Sequence, residues 1–368
     1  MTTPTFEAAF RDPALAKRLV ASIGAAASRP MKLMEVCGTH TVAIARFGLR
    51  ETMPETVTLL SGPGCPVCVT ANRDIDLAIE IGRQSGVALV TFGDMVKVPG
   101  SFSSLAREKA DGRDIRVVYS ALDAVALAEA EPALQVVFLG VGFETTAPTV
   151  ASAIRVAAEK GLANFTVLSL HKTVPLALEA LVNDPQVAID GFLLPGHVST
   201  IIGPEPYGLI AEKYGVPGVI AGFEPIDVLQ GVLMLARQIA DGRAEIEIAY
   251  ARGVQPGGNP TARAIIEEVF EPTDADWRGI GVIPGTGLAL RDAFAGWDAA
   301  KRFDVTVPEP REIPGCQCGE VLRGITLPYQ CRLFAKGCTP EHPIGPCMVS
   351  SEGSCAAYYR YTDYGRDV

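Results

Sequence analysis

From residue 33 to residue 224 the chain repeats one unit: a short apolar, β-rich run that ends in a Gly, Pro or polar turn. The first four are "KLMEVCGTHT", "VTLLSGPGCPVC", "VALVTFGDMVKVPG" and "IRVVYSALDAV". The next four are "LQVVFLGVGFETTAP", "FTVLSLHKTVP", "IDGFLLPGHVST" and "PGVIAGFEPIDV". Ala/Leu-rich stretches with helical spacing lie between most of them, at residues 74–84, 147–160 and 176–183. Strands that alternate with helices at this interval are joined by crossovers, so the sheets are parallel and the fold class is α/β.

The eight runs divide into two sets of four, and the second set echoes the first. "EVCGTHT" aligns loosely with "GVGFETTAP", and "LLSGPGCP" with "LSLHKTVP". This predicts two similar parallel-sheet α/β domains, residues 30–125 and 126–222, facing one cleft. Beyond Glu224 the texture changes. Ile226, Leu229, Leu233, Ala236 and Ile239 sit at helical spacing behind Pro225, and Asn259-Pro260 opens a shorter helix. From "IPGCQCGEV" onward the chain is rich in Gly, Pro and Cys with few long apolar runs. A third, Cys-rich domain is expected over residues 223–368, with a helix in residues 1–29 packed on it or capping the first domain.

A net charge of −10 argues against a general affinity for nucleic acid or anionic membrane. Neither a signal peptide nor an uncharged apolar run of membrane-spanning length is evident, so the expected location is the cytoplasm. In a reducing compartment nine cysteines read as metal or redox chemistry before structural disulfides. Cys37, Cys65 and Cys68 lie near the start, and Cys316, Cys318, Cys331, Cys338, Cys347 and Cys355 fall within the last 53 residues. The 247 residues between the groups hold none, which implies two separate thiol sites.

Parallel α/β sheets bind ligands outside the carboxyl ends of their strands. Most unusual polar residues of the first 224 fall there: Cys37, His40, Cys65, Cys68, Asp94 and Glu144, then Thr145, Thr146, His171, Lys172, His197, Ser199 and Glu224. Each also has a plain structural reading. The threonines suit a helix N-cap, and the histidines could be satisfied groups at sheet edges. Cys65-Pro-Val-Cys68 is compatible with a redox dithiol, a pair of metal ligands, or half a zinc site completed by Cys37 and His40. An acid such as Glu144, between a buried strand and a helix, needs a partner.

The tail spacing C-x-C-x(12)-C-x(6)-C-x(8)-C-x(7)-C is the stronger signal. Four thiols can hold an iron–sulfur cubane and leave two as a dithiol. A zinc-bound tail and three disulfides remain open. Cys316 and Cys318, one residue apart, are expected to point opposite ways in an extended chain.

Over essentially its full length the chain resembles the hydrogenase maturation family HypD. "MEVCGTHT", "SGPGCPVCV", "GFETTAP", "PGHVS", "GFEP" and the tail "CQCGEVLRG…PYQCRLFAKGCTP…GPCMVSSEGSCAAYY" carry the likeness. The resemblance implies a scaffold that, with the chaperone HypC, assembles the Fe(CN)2CO unit of [NiFe]-hydrogenases. Cyanide would come from HypE with HypF, and the product would pass to the hydrogenase large subunit through HypC. It implies an iron site at Cys37, Cys65 and Cys68 in the cleft between the α/β domains. It further implies a [4Fe-4S] cluster on Cys316, Cys331, Cys338 and Cys355, with Cys318 and Cys347 as a neighbouring dithiol. His40 would assist a thiol, while Glu144, His171 and His197 would move protons or bind HypC. Such a protein is a maturation scaffold with redox activity more than a turnover enzyme. Two other classes stay open, a cluster-dependent thiol–disulfide oxidoreductase and a zinc-stabilised binding module. No Walker-type loop is present, which argues against a conventional nucleotide site.

Overall fold

The computed structural model describes residues 9–363. All eight apolar runs form strands: β1 Met31–Glu35, β2 Val57–Ser61, β3 Val87–Thr91, β4 Asp114–Val117, β5 Gln135–Gly140, β6 Phe165–Ser169, β7 Gly191–Pro195 and β8 Gly218–Ala221. Three more follow, β9 Ile246–Ile248 and a hairpin of β10 Phe270–Trp277 and β11 Gly281–Leu290. Strands β3 and β7 are buried at every residue, as expected when helices cover both faces of a parallel sheet. The class is α/β with two Rossmann-like layers.

The sheets do not follow the consecutive quartets. One has the order β2-β1-β7-β8-β9 and the other β4-β3-β5-β6, both wholly parallel. The boundary drawn between residues 125 and 126 therefore cuts through the four-stranded sheet, and each quartet is shared between the two layers. The helix Asn72–Gly82 gives the physical reason. Its Ile75, Ala78 and Ile79 pack with Val87, Leu89 and Val137 of the four-stranded sheet, so the chain changes layers directly after β2. The echo in sequence survives in a different form, pairing the β1 and β2 loops of one sheet with the β5 and β6 loops of the other.

The boundary at 222/223 shifts too. The helix Pro225–Ala240 lies on the five-stranded sheet, where Val228, Leu229 and Val232 join Leu33, Leu193 and Val219 in one core. The helix Pro13–Ala26, begun by Asp12 accepting from the Ala14 N–H at 2.8 Å, adds Ile23 to that core. It belongs with the five-stranded layer and not with the tail. Each fully buried aliphatic side chain here is worth about 1.5–3 kcal/mol against exposure.

From residue 304 onward the texture is different. Among the described residues the tail holds only short helices, Cys318–Leu322, Pro328–Gln330, Pro346–Val349 and Ser354–Tyr361. Its own core is a small cluster of Phe334, Cys338, Met348, Ala356 and Tyr358.

Candidate thiol and metal centre

Strand β1 ends in Glu35, and two residues later Cys37 takes the N-cap position of the helix Gly38–Arg46. Its thiol is buried, and burial pushes its pKa up to about 12 although the nearby amides of His40 and Thr39 pull it down. Beneath it Glu35 accepts from the Cys37 N–H at 3.2 Å and from the Thr41 hydroxyl at 2.6 Å. Burial lifts the Glu35 pKa to about 7, against the opposing pull of Thr41, Ser61 and Arg50. His40 Nε2 lies 2.9 Å from the Gly222 carbonyl oxygen, so this nitrogen carries the proton and donates. Its Nδ1 is buried with no hydrogen-bond partner among the described residues, and burial lowers the ring pKa to about 4. The ring sits 5.0 Å from that of Phe223, and His197 stacks on Phe223 at 3.9 Å.

After β2 the chain turns through Gly62 and Gly64 to Cys65, which caps the short helix Pro66–Val69. A Cβ at Gly64 would stand 2.1 Å from the Cys37 nitrogen, so only glycine allows the two loops to meet. The Gly38 N–H donates to the Gly64 carbonyl at 2.9 Å, tying them together. Among the described residues no group of three or more His, Cys, Asp or Glu is arranged to hold a metal ion. Cys37 and the Cys65/Cys68 pair thus meet through backbone and not as a ready-made ligand set.

The thiols form a line. Cys65 and Cys68 sulfurs are 2.6 Å apart. Cys68 also lies in hydrogen-bonding reach of Cys347, Cys347 of Cys318, and Cys318 of Cys316. Burial pushes the Cys68 pKa well up. Cys316 pulls the Cys318 pKa down and Cys318 pulls that of Cys347 down, but the opposite thiol neighbours, Cys347 and Cys68, together with burial leave both well above the ordinary value. The contact between Cys316 and Cys318 corrects the expectation that they face opposite ways. Gln317 between them has φ −105 and ψ 31, a turn and not an extended residue.

All six tail cysteines, Cys316, Cys318, Cys331, Cys338, Cys347 and Cys355, line one small pocket with Phe334, Gly345 and Met348. No carboxylate or imidazole lines it. A Cβ at Gly345 would stand 2.6 Å from Cys316 Sγ, so that glycine keeps the cavity open. The Cys338 sulfur accepts from the Ile344 N–H at 3.3 Å. An all-thiol lining with more than four sulfurs suits an iron–sulfur cluster, which takes four of them. The donor set fits that group.

Two contacts tie the tail to both layers. Thr39 donates to Glu352 at 2.8 Å, and Ser350 donates to Asp94, beyond β3, at 3.1 Å. Glu144, after β5, accepts from the Val174 N–H at 2.9 Å through Oε1, while Oε2 is buried with no partner among the described residues. Burial raises its pKa to about 7. His171, after β6, lies 3.1 Å from the Ser169 hydroxyl, which itself donates to the Leu288 carbonyl. His171 Nδ1 therefore donates, and Nε2 is buried with no partner among the described residues, with the ring pKa lowered to about 3 by burial and by Lys172. Lys172 pairs with Asp74 at 3.5 Å. Thr146 holds the N-cap position, yet its hydroxyl donates to the Phe143 carbonyl at 3.2 Å instead of capping the helix.

Three residues escaped sequence reasoning. Glu35 could have been found as the one acid inside an apolar strand. Glu352 and the buried Arg278 carry no local signal, because their partners lie hundreds of residues away. No helix among the described residues is long and apolar enough to cross a membrane.

The family model of HypD, the hydrogenase formation hypA family, matches residues 14–362. The hydrogenase maturation factor HypD of Rhodobacter capsulatus is 50% identical over 368 residues, covering 97% of this chain and 98% of the relative. That of Rhizobium leguminosarum bv. viciae is 46% identical, covering 98% and 96%. That of Cupriavidus necator is 47% identical, covering 96% of each. The chain therefore belongs to the HypD family of hydrogenase maturation factors.

Proposed function

We propose that this chain is a cytoplasmic maturation scaffold with redox activity. Its cargo is the iron of the [NiFe]-hydrogenase Fe(CN)2CO unit, built in complex with HypC. Cyanide arrives from HypE with HypF, and the product leaves for the hydrogenase large subunit through HypC. The observation that carries the reading is the line of thiols from Cys316 through Cys318, Cys347 and Cys68 to Cys65, ending beside the Cys37 loop.

Cys37 is the cargo ligand in this reading. Its thiol keeps its proton in the free protein, so loading a soft low-spin iron displaces that proton and stabilises the thiolate. The end of the Gly38–Arg46 helix favours the resulting negative charge. His40, neutral and fixed by the Gly222 carbonyl, presents a bare nitrogen to take up a proton. Glu144, His171 and His197 are further proton-handling or HypC-contacting groups, with Cys65 and Cys68 completing the iron site once reduced.

Reduction of a Cys65–Cys68 disulfide follows from the thiol contacts. The Cys347 thiolate attacks the Cys68 sulfur and Cys65 leaves as a thiolate. Cys318 then attacks Cys347 and frees Cys68. Two electrons move, one disulfide is consumed at Cys65/Cys68 and one forms at Cys318/Cys347. A [4Fe-4S] cluster on Cys316, Cys331, Cys338 and Cys355 would supply electrons to that second disulfide. The redox state of Cys65/Cys68 then gates iron loading.

The test is anaerobic purification with HypC, followed by metal analysis and infrared spectroscopy. Cyanide and CO stretching bands are expected. Iron–sulfur absorption without them leaves a thiol–disulfide oxidoreductase, which the same line of thiols also favours. Stoichiometric zinc alone would leave a binding module.

A further inference from the structure

The turn between β10 and β11 inserts between the two thiol regions and holds on to both. On one side, Trp277 bridges Thr70, and the Arg278 N–H donates to the Val69 carbonyl at 2.9 Å. The Arg278 guanidinium donates through Nε to the Thr70 carbonyl at 2.7 Å, through Nη1 to Asn72 Oδ1, and through Nη2 to the Pro99 carbonyl at 3.4 Å. Val69 and Thr70 directly follow Cys68. On the other side Gly279, with φ +73, lies flat on Gly319, the residue after Cys318. A Cβ at Gly279 would stand 2.1 Å from the Gly319 Cα. Arg278 is only 6% exposed and makes no ion pair among the described residues. Burying an unpaired guanidinium is costly, so an arginine kept here asks for a reason beyond packing.

We propose that Arg278-Gly279 is a positioning device for the thiol relay: its guanidinium fork ties the segment after Cys68, at Thr70 and Asn72, to Pro99, its backbone packs on the Cys318 helix, and together they set the reach from Cys68 to the Cys318/Cys347 pair. The inference rests on the thiol-exchange reading above. Exchange needs an attacking sulfur in line with the disulfide, and a misplacement of about an ångström costs on the order of a hundredfold in rate between fixed groups. A lysine cannot replace the fork, because its single ammonium lacks the planar spread that reaches three acceptors at once.

The test uses the full chain carrying Cys65→Ser and Cys318→Ser, which leaves Cys68 and Cys347 to form a direct cross-link. Diamide accepts the two electrons and becomes the hydrazine, and alkylation with mass spectrometry follows the Cys68–Cys347 bond in time. The cross-link is expected in this parent. Adding Arg278→Met should slow it on the order of tenfold or more, with unchanged iron–sulfur absorption and unchanged slow alkylation of Cys37. That pattern separates positioning from general loosening, which would expose Cys37 as well. A parental rate in folded Arg278→Met overturns the inference and leaves the relay standing. Absence of the cross-link in the parent overturns the relay itself. If Arg278→Met does not fold, Arg278→Lys decides: a severalfold slower cross-link supports the fork, and a parental rate removes it.

Discussion

Cys37 and Cys65 sit just past the ends of β1 and β2, in a helix-covered sheet whose core runs from Ile23 to Ala236. Cys331 and Cys338 sit in a segment whose longest helix has eight residues and whose own core is five side chains. In the first region the fold places the thiols. Hydrogen bonds, glycine contacts and apolar packing fix both loops with no metal needed. In the second the thiols themselves make up much of the interior, and six of them line one pocket. The comparison teaches that the same residue type can be a passenger on a fold or a condition for it. Under the proposed function, metal affinity that is also folding energy belongs to the second case.

The largest expected effect breaks the second region. In the proposed cluster Cys331 and Cys338 are corner ligands, so Cys331→Ser or Cys338→Ser is expected to cost the tail its cluster and its fixed structure together. A loss of a few kcal/mol is comparable with the whole stability of a domain, about 5–15 kcal/mol. Visible absorption should vanish, and limited proteolysis should cut within residues 304–363 while the two sheets resist. Full cluster content with a protease-resistant tail in both variants would reverse the comparison. Cys318→Ser, by contrast, should keep its colour.

How much of this was legible in the sequence follows the same divide. The alternation of runs such as "VALVT" and "FTVLS" with Ala/Leu-rich stretches located all eight central strands, because periodicity is a local property. Which strands pair is not local. It depended on helix Asn72–Gly82 burying Ile75 and Ile79 on the second layer, and nothing in its own spacing says which sheet it will meet. The short β9 has three half-buried residues, and β10 carries "EPTDAD", so neither shows the alternation of a buried strand. The cysteine spacings revealed two thiol groups but not their contact, since Cys68 and Cys347 are brought together only when the tail docks. Arg278 was invisible for the same reason, its acceptors being Thr70, Asn72 and Pro99.

An intermediate effect sharpens the first region by showing that its polar residues are seated at a cost to the fold. Glu144 has its pKa raised by burial from an ordinary 4.5 to about 7. Between these values the unfolded chain has released its proton and the folded chain has kept it, so stability falls as pH rises through the window. The full cost, about 3 kcal/mol by linkage, is present above pH 7. Glu144→Gln should therefore be favoured over wild type by up to about 3 kcal/mol more at pH 8 than at pH 5. Denaturant unfolding at both pH values measures this. The difference between the two proteins is the proper readout, because His171, lowered to about 3, contributes the opposite slope as pH falls below its ordinary 6.5. An equal difference at both pH values would mean that Glu144 titrates normally.

The smallest expected effect on the fold carries the comparison to its limit. Cys37 occupies an N-cap position, and although the Thr39 and His40 amides face its sulfur it makes no well-formed capping hydrogen bond, so Cys37→Ala removes at most a weak cap. The helix start is held instead by the Gly38 N–H on the Gly64 carbonyl and by Thr39 on Glu352, neither of which involves the thiol. What is lost is one buried sulfur, a change of about 1 kcal/mol or less when the neighbours relax. Glu35 keeps its acceptance from the Cys37 N–H, because that contact is backbone on the cysteine side. Cys37→Ala should thus unfold at nearly the wild-type denaturant midpoint, with its iron–sulfur absorption intact, and carry no cyanide or CO bands after purification with HypC. Loss of the tail absorption in this variant would show that the two thiol regions fold as one unit, and wild-type infrared bands would move the cargo to another ligand.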